Sequence, residues 1–129
     1  VTAEQAQLFR VYYGALGRAP DTDGFDWWIA EIEAGRHDLN SMAAGFICSD
    51  EFLAHVNSED GNSIDNEVFL NYVYRTVFGR EPDVAGFNWW LQILVSGEKS
   101  NVQVLVDMTQ SNEYAELTLN PISQFATEY

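Results

Sequence analysis

Two stretches of this chain, residues 17–28 (GRAPDTDGFDWW) and 79–90 (GREPDVAGFNWW), carry one pattern, GR-x-PD-x-x-GF-x-WW, set 62 positions apart. A pattern of this kind is a turn between two helices. Gly17 can take the left-handed conformation that closes a helix, and Pro20 cannot sit in a helix interior. Asp21 follows as a cap, its carboxylate placed to accept from the free amides of the next first turn. Gly79, Arg80, Pro82 and Asp83 repeat the arrangement of Gly17, Arg18, Pro20 and Asp21. The chain is therefore read as one bent helical unit written twice.

Apolar spacing around the two motifs agrees. Leu8, Val11, Tyr12, Ala15 and Leu16 fall on one face of a helix that precedes the first turn. Phe25, Trp28, Ile29 and Ile32 form the buried stripe of the next, which Gly35 ends. Asp38 caps a third helix with Leu39, Met42, Ala43, Phe46 and Ile47 inward, and Ser49 a short fourth over 50–56. In the second copy the stripes are Leu70, Val73, Tyr74, Val77 and Phe78; then Phe87, Trp90, Leu91 and Leu94; then Val104, Leu105 and Met108 after Ser100; then a short helix over 111–118. Residues 8–55 and 70–117 overlay without a gap, and no segment alternates as a strand does. The expected fold is all-α, one domain over 1–129, with repeat 1 at 4–56, a polar linker at 57–64, repeat 2 at 65–118 and an irregular tail at 119–129 in which Asn120-Pro121 stops the last helix.

A half-size unit is marginal alone, so the two copies are expected to share one core. The net charge of −14 disfavours nucleic acid and anionic membrane surfaces as partners. No run reaches the ~20 apolar residues of a membrane span. The N-terminal VTAEQAQ lacks signal-peptide features, and a start at Val1 reads as a cut from a longer chain. The single cysteine, Cys48, has no thiol to pair with and is expected to be packed in the core. Acidity with almost no cysteine suits a secreted bacterial protein, and equally an acidic cytosolic one.

The copies differ where function would be written. Asp23, Glu31, Glu33, Asn40 and Ala44 become Ala85, Ile93, Val95, Val102 and Val106, which gives the second copy apolar surface on two sides. Either the first copy or the tail covers it, or it meets a partner. Trp27 and Trp89 sit about 100° round the helix from the inward Trp28 and Trp90; they either seal the core edge or stack on a sugar or partner. Arg18 and Arg80, expected to be buried near the turn, have Glu51 and Glu113 as candidate ion-pair partners. Asp21, Asp23 and Asp26 surround Gly24 in a way that suits calcium, although the loop lacks the spacing of an EF-hand; residues 57–65 (NSEDGNSID) are a rival calcium loop. His37 and His55 have no ligand at metal spacing. No nucleophile elbow, phosphate loop or paired-histidine motif is present, which argues against an enzyme.

With GR-x-PD-x-x-GF-x-WW and the downstream Ser49-Asp50-Glu51-Phe52 and Ser111-Asn112-Glu113-Tyr114 in view, the chain resembles a bacterial helical domain-of-unknown-function family, numbered 4214. That family occurs in large secreted and surface-layer proteins, often beside repeat-in-toxin calcium-binding arrays, and is distantly similar in fold to the phycobilisome linker domain. Tyr12, Leu16 and Trp27-Trp28 carry the rest of its pattern, as do Tyr74, Phe78 and Trp89-Trp90. The resemblance implies a non-catalytic extracellular module with no resident cofactor, calcium being possible, that engages a protein partner or neighbouring domains of its parent in assembly or adhesion. A calcium-dependent carbohydrate-binding module using Trp27, Trp89 and the acidic loops is the alternative.

Overall fold

Every turn marked by glycine, proline or a capping side chain is a helix boundary in the computed structural model, which describes residues 2–56 and 64–128. The expected linker at 57–63, and with it most of the calcium loop read at 57–65, lies outside the described residues. The helices are α1 (Ala3–Leu16), α2 (Thr22–Glu33), α3 (Leu39–Ile47), α4 (Asp50–His55), α5 (Asn66–Val73), α6 (Val84–Ser96), α7 (Asn101–Thr109), α8 (Asn112–Leu117) and α9 (Leu119–Glu128); a π-helical turn, Tyr74–Phe78, continues α5. The described residues contain no strand, and the fold is all-α.

The caps account for the boundaries. Asp21, Asp38, Ser49, Asp83, Ser100 and Ser111 each accept from the backbone N–H three residues on, and Asp65 from the two amides of Glu67 and Val68. Each satisfies donors that a helix start leaves without an intrahelical partner. Gly17, Gly35, Gly79 and Gly97 all stand at positive φ, so the helix ends are matched between positions 62 apart.

α1 is the centre of the body, packing against α2, α3, α4, α7 and the π turn. Its Leu8, Phe9, Val11 and Ala15 are fully buried among residues of both halves, in a single core that also holds Met42, Phe52, Leu70, Val73, Leu105 and Met108. Burying each such side chain contributes about 1.5–3 kcal/mol, and neither half could do so alone. Gly14 sets how close α1 comes to its neighbours: a Cβ there would stand 2.5 Å from Thr109 Cγ2 and 3.2 Å from Val77 Cγ2. Buried Tyr72 donates to the Ala15 carbonyl at 2.7 Å, satisfying one acceptor of the last turn of α1. Arg10 Nε donates to Thr118 Oγ1 and Gln110 Nε2 to the Gln7 carbonyl, joining α1 to the far end of the chain.

Three expectations are corrected. Residues 119–128 are helical: Pro121 stands in the first turn of α9, where its missing N–H would have no intrahelical partner, so it starts a helix where the sequence suggested a stop. Cys48 is exposed, because it follows the buried Ile47 at the C-cap of α3 and points away from the core. The helix after Asp65 is not regular to its end. The Thr76 hydroxyl donates to the Tyr72 and Val73 carbonyls, competing with the α-helical N–H partners where the π turn begins.

Candidate functional site

The repeated motif builds a braced hinge. Asp21 accepts from Gly24 N–H at 2.9 Å and from the Tyr12 hydroxyl at 3.2 Å; Asp83 accepts from Gly86 N–H at 2.9 Å. The glycine of the GF pair is required by this cap, since a Cβ at Gly24 would lie 3.0 Å from Asp21 Oδ1, and one at Gly86 2.9 Å from both Asp83 Oδ1 and Tyr74 Oη. Those backbone hydrogen bonds hold both aspartates below the usual carboxylate range.

Arg18 bonds Glu51 with two parallel contacts, Nε to Oε2 at 2.9 Å and Nη2 to Oε1 at 3.0 Å, and lies 5.1 Å from the Tyr12 ring centroid. Arg80 approaches Glu113 at 3.4 Å on both arms and Asp83 at 3.4 Å, over the rings of Tyr74 and Phe78. Contrary to the sequence expectation, both arginines are about half exposed, because the ion pair bridges the outside of the hinge. The hydrogen bond from Arg18 lowers the Glu51 pKa and raises that of the guanidinium.

Asp21, Asp23 and Asp26 are not gathered into a cation site. Among the described residues no group of three or more His, Cys, Asp or Glu side chains is placed to hold a metal ion; the capping geometry turns Asp21 towards the backbone of its own helix. The histidines brace aromatics: His37 lies 5.2 Å from Trp28 and shares a 3.0 Å contact with Ser41 Oγ, and His55 stacks on Tyr72 at 5.1 Å.

Trp27 and Trp89 do not seal the core. They are 50% and 59% exposed, each held edge-on against its half-buried neighbour, Trp28 at 4.8 Å and Trp90 at 4.7 Å. Around Trp89 the whole of α6, VAGFNWWLQILVS, carries no charged side chain. Its outer face presents Val84 at 78% and Val95 at 71% exposure. Of the other positions singled out for apolar excess, Ile93 is buried, and Val102 and Val106 pack partly buried against the core, so these three are not partner contacts. Their neighbours in the fold supply the cover that single-sequence periodicity could not assign.

Three concavities mark the surface. One of about 290 Å³ lies beside α9, lined by Tyr13, Arg18, Ala19, Pro121, Gln124 and Phe125. A second of about 350 Å³ opens between α5 and α6, lined by Glu67, Asn71, Pro82, Val84, Phe87 and Asn88. The third, about 270 Å³, continues along α6 past Asn88, Leu91, Gln92 and Val95. Periodicity does not single out Asn71 or Asn88 as surface groups; the loss of charge from Asp26 to Asn88 is the signal that could have found them. No helix among the described residues is long and apolar enough to cross a membrane.

The chain belongs to the family described as a domain of unknown function, DUF4214, whose model matches residues 8–56 and again 54–118, one motif falling in each stretch. No curated protein and no solved structure matches it.

Proposed function

We propose that this DUF4214 chain is a non-catalytic interaction module of a larger secreted or cell-surface bacterial protein, and that it acts in assembly or adhesion through the outer face of α6. One observation carries this reading: in a chain of net charge −14, a thirteen-residue helix bears no charge and exposes Val84, Trp89 and Val95. Uncharged surface with an aromatic anchor is the composition of an interface centre, where charged groups are depleted and tryptophan enriched. The pKa pattern supports a role without chemistry. The displaced groups are helix caps, hinge ion pairs and tyrosines raised by burial, all explained by folding. Extracellular placement rests on the family resemblance, on the acidity and on the near absence of cysteine.

Hydroxyl-radical footprinting tests it, with the isolated module and the full-length parent labelled side by side. Trp89 should be protected in the parent while Trp27 stays reactive. Equal labelling of both tryptophans in both samples would remove α6 as the contact. The half-exposed Trp27 and Trp89, each fixed by its neighbour, favour the second reading, a calcium-dependent carbohydrate-binding module. A glycan that binds only with calcium present and quenches tryptophan fluorescence would put that reading first; titration calorimetry without heat in either case would leave the assembly role.

A further inference from the structure

We infer that the groove between α5 and α6 receives an amphipathic helix of a protein partner, one that inserts an aromatic side chain and carries lysine or arginine beside it. The inference rests on the interaction role proposed above and names the partner's chemistry. Its ground is a seat that the molecule fills in one half and leaves open in the other. In the first half Phe125 of α9 lies 5.3 Å from Phe9 and 4.8 Å from Phe25, and Phe25 is fully buried. The positions 62 residues on from Phe9 and Phe25 are Asn71 and Phe87, and both line the 350 Å³ groove. Phe87 is only half-buried. The chain thus contains its own precedent: between the first helix of a unit and the helix after the hinge, a helix docks by one phenylalanine.

The two seats differ in charge in a way that specifies the occupant. The first seat has Gln5 at the position of Glu67, and α9, LNPISQFATE, which fills it, has no basic residue. In the second, Glu67 is exposed on the rim with no ion pair among the described residues, and Asn71 and Asn88 offer amide donors and acceptors where Phe9 and Asp26 stand in the first. An uncharged helix suits the neutral rim; a basic one suits the rim that has gained a carboxylate on a −14 body. The apolar part of the groove, Pro82, Val84 and Phe87, is the floor for one aromatic ring, which is the anchor arrangement of helix-in-groove recognition.

The probe is a synthetic alanine-lysine helix of about 16 residues with one central phenylalanine, long enough to be helical in isolation, titrated into the ¹⁵N-labelled chain. Amide shifts are expected at Asn71, Val84, Phe87 and Asn88. Replacing the phenylalanine of the peptide by alanine should weaken binding at least about tenfold. Glu67→Gln, which writes the first-half residue into the second, should weaken it about threefold. Val84→Arg, at a position exposed enough not to disturb folding, should abolish it. The inference is overturned if the phenylalanine and alanine peptides shift the same amides equally, if Val84→Arg binds as well as the parent chain, or if the shifts fall at Phe9 and Phe25, meaning that the peptide displaces α9. Shifts at the groove on concentrating the protein alone would assign the seat to a second copy and equally overturn it. Protection of Trp89 in the full-length parent together with an empty groove would sink this inference and leave the interaction role standing.

Discussion

Phe25 and Phe87 hold the same place in two copies of one motif, yet Phe25 is sealed by Phe125 while Phe87 faces an open groove. The helices that carry them diverge in the same direction. α2, TDGFDWWIAEIE, keeps Asp23, Asp26, Glu31 and Glu33, as befits a helix that only needs a solvated outer face. α6 has replaced all four with Ala85, Asn88, Ile93 and Val95. The lesson is that the copies share the apparatus of the hinge, its cap, glycine and ion pair, while the surface is free to vary. One half is finished by its own C-terminal helix; the other is left as a surface.

The largest effect should separate the two phenylalanines. Phe25→Ala opens a void between α1, α2 and α9 and should destabilise by about 3–5 kcal/mol. Phe87→Ala removes a ring that already meets solvent and should lose about half of that. Urea unfolding midpoints at constant m-value compare them. Equal losses would mean that the groove is closed in solution, and the contrast between the halves would fail.

Next comes the contact between halves. Gly14→Ala places a methyl group 2.5 Å from Thr109 Cγ2, and overpacking of this kind should destabilise by about 1–3 kcal/mol. Its counterpart, Thr76→Ala, removes a hydroxyl that bonds only to its own helix and should change stability little, while releasing the carbonyls that the π turn gives up. Thermal melts of the two variants rank them. Gly14→Ala at wild-type stability would show that α1 does not lie this close to α7.

A third difference is one atom. Phe52 and Tyr114 occupy matched positions, both fully buried, but the Tyr114 hydroxyl has no partner among the described residues, and burial drives its pKa well above the ordinary phenol value. A buried hydroxyl without a partner is destabilising by about 1–3 kcal/mol, so Tyr114→Phe should stabilise by about 1 kcal/mol and Phe52→Tyr should do the reverse. Loss of stability in Tyr114→Phe would reveal a hydrogen bond that the geometry does not contain.

Much of this architecture is legible in the amino-acid order because its signals are local. A positive-φ glycine, a proline and a capping aspartate act within four residues, so the hinge positions and cap assignments follow from the motif alone. Burial is not local. Ile93 reads as surplus apolar surface until a neighbouring helix covers it, and Cys48 reads as packed until the end of α3 rotates it outward. The tail departs from expectation for a related reason: Pro121 is forbidden in a helix interior and welcome in a first turn, and one sequence cannot say which it occupies. The groove is invisible in the sequence because it is defined by what does not lie on it, and the clue, Phe125 seated at Phe9 and Phe25, pairs residues about a hundred positions apart.

The smallest predicted difference lies in the hinges themselves. Arg18 and Glu51 meet in a bidentate pair at 2.9 and 3.0 Å, whereas Arg80 stands 3.4 Å from Glu113 and divides its charge with Asp83. Both pairs are largely solvated, so double-mutant cycles to alanine should give coupling of about 0.5–1 kcal/mol for Arg18–Glu51 and about 0.2 kcal/mol for Arg80–Glu113. The first pair also sets a pH window. Because the folded pKa of Glu51 lies below its unfolded value, the stability it confers is complete above the ordinary glutamate range and is lost as pH falls through the folded value. Asp21 behaves in the same direction through its cap. Glu51→Gln should therefore shrink the stability difference between pH 7 and pH 3, and Asp21→Asn, which keeps a capping oxygen that cannot titrate, should shrink it further. If the two cycles give the same coupling, the hinges are equivalent, and the divergence of the copies belongs to their surfaces alone.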